Sequence, residues 1–449
     1  MFERATRPRL RRNLRLSIID GGCFSTMVGI GETYLSAFVL AVSGNQVASG
    51  LVTTVPQLAG ALLQMVTPRA VGRINSHRRW VITCVACQAL SFVPLTIAAL
   101  TGYFPMIVIF ALASLYWGAG MAAGSAWNTW MGRVIAPTLR ANFFAIRTRV
   151  MQACTLAGVL AGGFILEYGE KQGHPVASYA VLFVGACIMR LISARMLVGM
   201  TEPAVSDEHH RIMPIREVMS HFLSHDGRLL VYILAVQFGQ QIAAPYFNPF
   251  LLKESSFNYW QYTLLLSAAY IGRSAAAPAW GRFARRLGTQ RLLAAGGLGI
   301  IPLAALWLVS SSFWYLLALQ FIAGACWSAF DLATMLLYLE TIDADERTSV
   351  LTGMNLFNAL AFVGGSILGG GLLSALGGGR QAYVVVFGLS TLVRLATIVL
   401  LIRLPRYKLS PVPIAADTMA VRPSAGSIER ADLASLPDVI RRDDPENPA

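Results

Sequence analysis

Charge is scarce in this chain: Asp, Glu, Lys and Arg supply 13% of its 449 residues. A soluble protein of this length carries about twice that share, so an ordinary multidomain soluble protein is excluded. Cysteine and histidine are also few, at six each. Cys23, Cys84, Cys87, Cys154, Cys187 and Cys326 all fall inside apolar runs, where a thiol acts as a small hydrophobe, and no disulfide framework is expected. Cys84-x-x-Cys87 has redox spacing but no second pair or histidine cluster beside it. His77, His174, His209, His210 and His221 lie between apolar runs, so no metal site is expected. There is no Walker loop, no His-Glu-x-x-His and no nucleophile elbow, and Gly29-x-Gly31 lacks the third glycine of a dinucleotide fingerprint. Neither an enzyme nor a cofactor is expected.

Apolar length, by contrast, is abundant. Hydrophobic residues make up 55% of the chain, and mean hydropathy is +0.57. Apolar runs near 16–42, 47–66, 80–100, 105–131, 144–166 and 178–199 are each long enough to cross about 30 Å of hydrocarbon as a helix. Six more follow near 229–252, 260–280, 291–310, 313–340, 349–376 and 380–404. The expected fold is an all-α membrane protein of twelve transmembrane helices in two six-helix bundles.

The segments between and around the runs complete the plan. Residues 1–15 form a basic tail without a cleavage site, 16–200 and 229–404 the two bundles, 201–228 a polar linker, and 405–449 a Pro-rich tail expected to be disordered. Within the linker, Ile215, Val218, Met219, Phe222 and Leu223 have helical spacing, which fits either an interfacial helix or incidental apolar residues in a solvated segment. Loops after odd-numbered runs hold only Lys171, Lys253 and Arg380, whereas even-numbered loops and both ends of the chain hold the arginine clusters. This asymmetry predicts a multi-pass protein of the cytoplasmic (inner) membrane with both termini cytoplasmic. The net charge of +13 is thereby assigned to topology, and no nucleic-acid partner is expected.

The chain is also internally repeated. Arg73 and Arg79 map onto Arg285 and Arg291 with one displacement of 212 residues. Gly158-x-x-x-Gly162-Gly163 maps onto Gly365-x-x-x-Gly369-Gly370, and Arg140 onto Arg347, with a displacement of 207. The difference of five predicts an indel in the third or fourth run. Glycines spaced by four let helices approach closely, so these six are expected at helix-packing contacts. Two related halves joined by a linker are the pattern of an internally duplicated transporter.

On these features the chain resembles the major facilitator superfamily over roughly residues 16–404. That superfamily's loop signature, Gly-x-x-x-Asp-Arg-x-Gly followed by basic residues, is matched by Gly281, Arg286, Gly288 and Arg291, with Arg285 at the aspartate position. The first-half copy keeps Arg78 and Arg79, with Arg73 at the acidic position. The resemblance implies that these loops form a cytoplasmic gate, and the missing aspartates put its usual latch in doubt. Gly158, Gly162 and Gly163 resemble a fifth-span exporter signature with Val159 replacing its proline, while Ser114 stands where the fourth-span arginine of such exporters belongs. Trp127-Asn128-Thr129-Trp130, Pro137, Arg140, Phe144 and Arg147, with Pro245-Tyr246-Phe247, Gln261-Tyr262-Thr263, Trp280-Gly281-Arg282 and Trp327, resemble a bacterial branch of the superfamily; no substrate follows from this.

Polar side chains deep in a span mark a translocation path unless they pair structurally. Glu32 lies roughly 24 Å along the helix from Leu16, somewhat outside the midplane. Gln57, Gln240 and Gln241 fall near the centre, and Arg273, Asp331, Asn355 and Asn358 in the cytoplasmic half. By family analogy spans one, four, seven and ten line the cavity, which puts Glu32, Gln240, Gln241 and Asp331 first. Interhelical hydrogen bonds are the competing role of each amide, and Arg273 is the expected partner of Asp331. Asp20 is expected to pair with an arginine, and Arg190 and Arg195 to snorkel to the cytoplasmic face. The function expected is secondary active transport of a small solute by alternating access, as a symporter or antiporter driven by protons, acting as a monomer in the bilayer. A uniporter, and a membrane sensor or scaffold that keeps the fold, are the alternatives.

Overall fold

The computed structural model describes residues 2–103, 105–135, 137–202, 227–255, 257–341 and 344–404, and every regular element among them is helical. The first half contains α1 (Arg9–Ser43), α2 (Gln46–Gln64), α3 (His77–Thr101), α4 (Met106–Val134), α5 (Pro137–Lys171) and α6 (Ser178–Val198). The second contains α7 (Gly227–Glu254), α8 (Tyr259–Leu287), α9 (Thr289–Leu306), α10 (Phe313–Thr341), α11 (Ala344–Ala375) and α12 (Arg380–Ile402). The expected interfacial helix of the linker and the disordered tail lie outside the described residues.

Eleven of these spans are apolar and long enough to cross a bilayer; the remaining one is α8. Gln261, Thr263, Ser267, Arg273 and Ser274 lie along it and lower its hydropathy. Packing against α10 and α5 shelters it, so it spans as a polar helix between protein neighbours. Large apolar side chains such as Ile107, Trp314 and Ile402, each at least 75% exposed, cover the outside of the bundle where lipid tails belong.

Packing repeats between halves. Within the first, α1 lies on α5 and α6, α4 on α2 and α3, and α6 on α3; within the second, α7 lies on α11 and α12, α10 on α8 and α9, and α12 on α9. The halves meet where α5 faces α8 and where α2 faces α11. The displacement of 212 takes the start of α3 to that of α9, and 207 takes both ends of α4 to those of α10. The indel therefore lies in the distal part of the third span and the loop after it, which narrows the expected location.

The loops at the arginine-rich face keep part of the repeat. A short helix over Thr67–Ile74 ends at Asn75 with φ 53°, and α8 ends at Gly288 with φ 91°. Gly288 supplies a backbone conformation that a side chain would strain, which accounts for one conserved element of the loop signature.

Candidate functional site

The site is built on an interruption of α1. The helix stops at Ile30, a 3₁₀ turn spans Glu32–Tyr34, and the helix resumes at Leu35. Thr33 donates its hydroxyl to the Val28 carbonyl at 3.0 Å, which occupies an acceptor that the break would otherwise orphan. The turn swings Glu32 towards α4, where Tyr116 Oη donates to Glu32 Oε2 at 2.5 Å. Tyr116 is itself buried, with its ring edge-on to Phe92.

From the opposite half, α8 contributes Tyr270. One turn further, Arg273 Nη1 lies 3.0 Å from Asp331 Oδ2 on α10, the pairing expected from the sequence. Depth along the helices separated Glu32 from this pair.

Immediately above, the interface is sealed. Tyr34 Oη donates to the Val159 carbonyl at 2.5 Å and accepts from Thr263 Oγ1 of the other half at 2.9 Å. The same displacement of 212 takes this turn to a second 3₁₀ turn, Ala244–Tyr246, where Tyr246 Oη donates to the Ser366 carbonyl. Thr54 and Ser366 share a hydrogen bond at 2.7 Å, Lys253 Nζ donates to the Gly44 carbonyl at 3.2 Å, and Tyr179 Oη donates to Tyr259 Oη at 2.9 Å. All of these cross-half contacts lie at the end opposite the arginine-rich loops; a deeper one, Ser274 to Gln152 at 3.4 Å, reaches mid-span.

The repeated glycines sit at these seams. A Cβ on Gly162 would overlap the Tyr34 ring, one on Gly163 the Thr263 side chain, and one on Gly158 would lie 2.9 Å from the Thr26 carbonyl. In the second half, Gly365 and Gly369 face the Phe238 and Ile242 carbonyls of α7, and Gly370 faces the Tyr246 hydroxyl.

The other candidates are distributed around this centre. Gln57 and Asn358 are buried, on the helices α2 and α11 that pack together, and Asn355 is half-buried. Gln240 is half-buried, whereas Gln241 is buried against Gly365 in the α7–α11 contact, so adjacent amides face different surroundings. Among the loop residues, Arg73, Arg79, Arg286 and Arg291 are exposed, and Gly281 and Gly288 are buried. Arg78 donates to the Val198 carbonyl, and Glu202 accepts from the Ser76 hydroxyl at 2.5 Å and the Arg78 N–H at 3.1 Å. Glu202 thus brings a carboxylate to a loop whose own acidic position is arginine, at the start of α3 where the helix dipole favours it. The Arg285 side chain lies outside the described residues.

One expectation is corrected. Arg190 does not snorkel: it is 3% exposed and donates to Gln88 Oε1 at 2.8 Å and Ser193 Oγ at 2.9 Å. Ser193 passes its hydrogen to Asp20 Oδ1 at 2.6 Å, and Arg147 Nη2 lies 3.4 Å from Asp20 Oδ2. Two guanidiniums, one over the Trp127 ring and one over Phe24, are thus gathered around one buried carboxylate. Inside a bundle, a shared counter-charge and a full set of hydrogen bonds cost less than extending Arg190 past its neighbours to water.

The family model of the Major Facilitator Superfamily matches residues 229–442. Among solved structures, nucleoside transporter NupG aligns at 13% identity over 87% of this chain and 98% of its own, with a TM-score of 0.65. A bacterial homolog to the human lysosomal transporter Spinster, inward-facing and unoccupied, aligns at 14% identity over 91% and 99%, with a TM-score of 0.65. No curated protein matches by sequence. The sequence match thus falls on the second half, and the fold of these transporters extends over nearly the whole chain. That fold is one of multi-pass membrane transporters.

Proposed function

We propose that the chain is a proton-coupled secondary transporter of a small polar solute, acting as a monomer by alternating access, with Glu32 as the group that takes up and releases the proton. The observation that carries this reading is the position of Glu32: on a helix break, hydrogen-bonded to Tyr116, just inside a sealed end. A carboxylate there changes surroundings whenever the halves rock, and proton affinity follows such changes. The arginine asymmetry orients the protein with both termini, the linker and the gate loops in the cytoplasm, so that the sealed end is external and the arrangement inward-facing. Gln57, Gln240, Asn355 and Asn358 supply hydrogen-bonding groups for the solute below the seal. Arg273–Asp331 is a satisfied ion pair, and it leaves Glu32 as the first choice for the proton.

Metabolite profiling of a deletion strain identifies the solute, and reconstituted vesicles then test the coupling. Glu32→Gln is expected to abolish accumulation driven by a proton gradient while retaining exchange of labelled solute. Full accumulation by this variant and by Asp331→Asn would leave uniport as the better reading.

A further inference from the structure

At the sealed end, two charged side chains each reach from their own half to a helix end of the other. Glu167, near the end of α5, accepts through Oε2 from the Trp260 N–H in the first turn of α8 at 3.3 Å. Lys253, at the end of α7, donates to the Gly44 carbonyl at 3.2 Å, and Gly44, with φ 63°, is the left-handed cap that closes the helix Leu35–Ser43. An anion thus meets a helix N-terminus and a cation a helix C-terminus, the signs that those ends favour. The capping pattern accounts for the first contact. Asn258 accepts from the Gln261 N–H at 2.8 Å and the Gln261 side chain accepts in return from the Asn258 N–H, which leaves the Trp260 N–H to a partner outside the helix. The displacement of 212 takes Trp260 to Ala48, whose N–H is met within its own half by the Asn45 side chain at 3.1 Å. Ser374 and Ala41 stand at the positions related to Glu167 and Lys253, so neither charge is repeated in the other half.

We propose that Glu167 and Lys253 are two electrostatic latches that hold this end shut, each acting on a helix terminus across the halves. The proposal rests on the halves parting at the sealed end during transport. Parting returns both charges to water and leaves both helix ends without them, and closing restores the attraction. Lys253 is exposed and Glu167 half-buried, so salt in the surrounding water screens that attraction. The latches therefore make closure of this end depend on ionic strength, which the uncharged bonds of Tyr34, Thr54 and Tyr179 do not. Glu167 has a competing role, because its Oε1 lies 3.1 Å from Lys171 Nζ one turn further along α5. That pair stays within one half and is blind to opening, so removing Lys171 separates the two roles.

The test needs no solute. Spin labels at Tyr103→Cys and Val309→Cys report opening of the full-length protein in nanodiscs, with the native cysteines replaced. Both positions are exposed, one on each half at the sealed end, and lie outside the helices that carry the latches. Glu167→Gln and Lys253→Gln remove the charge and keep a hydrogen-bonding group. Each is expected to raise the open-to-closed ratio about two- to fivefold at low salt, the scale of a charge at a helix end. At about 1 M sodium chloride, where charges are felt over only about 3 Å, each variant is expected to match the wild type. Lys171→Gln is expected to leave the ratio unchanged or to lower it, since Glu167 then acts on α8 alone. A rise in Lys171→Gln equal to that in Glu167→Gln would assign Glu167 to the pair within α5 and overturn its latch. A gap between variants and wild type that persists undiminished at high salt would overturn the electrostatic role of both. One unchanging distance in every variant at every salt concentration would instead overturn opening at this end, so the two failures are distinguishable.

Discussion

The two halves share a scaffold and differ in charge. Tyr34 and Tyr246 end equivalent 3₁₀ turns, and each bonds a carbonyl on the fifth helix of its own half. Each also reaches the other half, Tyr34 through Thr263 and Tyr246 by packing its ring over Gly50. Around these matched latches the ionisable groups are not repeated. The first half buries Asp20, Arg147 and Arg190, where the repeat places Tyr232, Met354 and Thr397 in the second, all three buried. The turn and its tyrosine are thus present in both halves, whereas these three buried charges stand in only one.

The largest effect is expected where that shared scaffold is tightest. Gly162 and Gly369 are equivalent, but an added Cβ meets the Tyr34 ring at the first and the Ile242 backbone carbonyl at the second. A ring can tilt, whereas a main-chain carbonyl can move only if the backbone of α7 moves with it. Gly369→Ala is therefore expected to reduce folded yield severalfold more than Gly162→Ala, as measured by fluorescence-detected size exclusion, and Gly369→Leu to abolish it. Equal yields from the two alanine variants would show that the seams differ less than their contacts do.

The next effect in size concerns the unmatched charges. Asp20→Asn leaves Arg147 and Arg190 buried with no carboxylate between them, and removing one partner of a buried pair costs about 3–5 kcal/mol. Replacing the set by its counterparts, Asp20→Tyr with Arg147→Met and Arg190→Thr, removes the charges together. The triple variant is expected to melt closer to the wild type than Asp20→Asn does, in detergent thermal unfolding. A triple variant less stable than the single one would mean that the surrounding helices have adapted to the ions and no longer tolerate the neutral packing of the other half.

How much of this was legible in the sequence depends on what the pattern rests on. Spans, loops and the two displacements follow from hydropathy and spacing, because a bilayer imposes length and duplication preserves register. Arg273–Asp331 was legible too, since an isolated charge at that depth demands a partner. Tyr116 was not, because a tyrosine in an apolar run is equally at home in packing, and only the break in α1 aims Glu32 at it. Arg190 was misread because snorkelling was weighed for one side chain alone, while Asp20, Ser193 and Gln88 converge on it from three other places in the sequence. The matched tyrosines did carry a signal: the displacement of 212 that aligns the arginine loops also takes Tyr34 to Tyr246.

That pair supplies the smallest and most direct comparison. Tyr34→Phe removes a hydrogen bond to Val159 and the cross-half bond from Thr263, whereas Tyr246→Phe removes a bond to Ser366 and leaves the ring packed on Gly50. A net hydrogen bond contributes about 1 kcal/mol, so each variant is expected to lose roughly that much stability, with Tyr34→Phe slightly the worse. Opening of the sealed end should separate them more clearly than melting does. The Thr263 bond spans the halves and must break when they part, while the Ser366 carbonyl moves with Tyr246 as one body. Spin-label distances across the sealed end are therefore expected to show a larger open population for Tyr34→Phe than for Tyr246→Phe at one pH. The reverse order would place the working latch at the α2–α11 seam, where Thr54 bonds Ser366, and would make the first-half tyrosine the structural member of the pair.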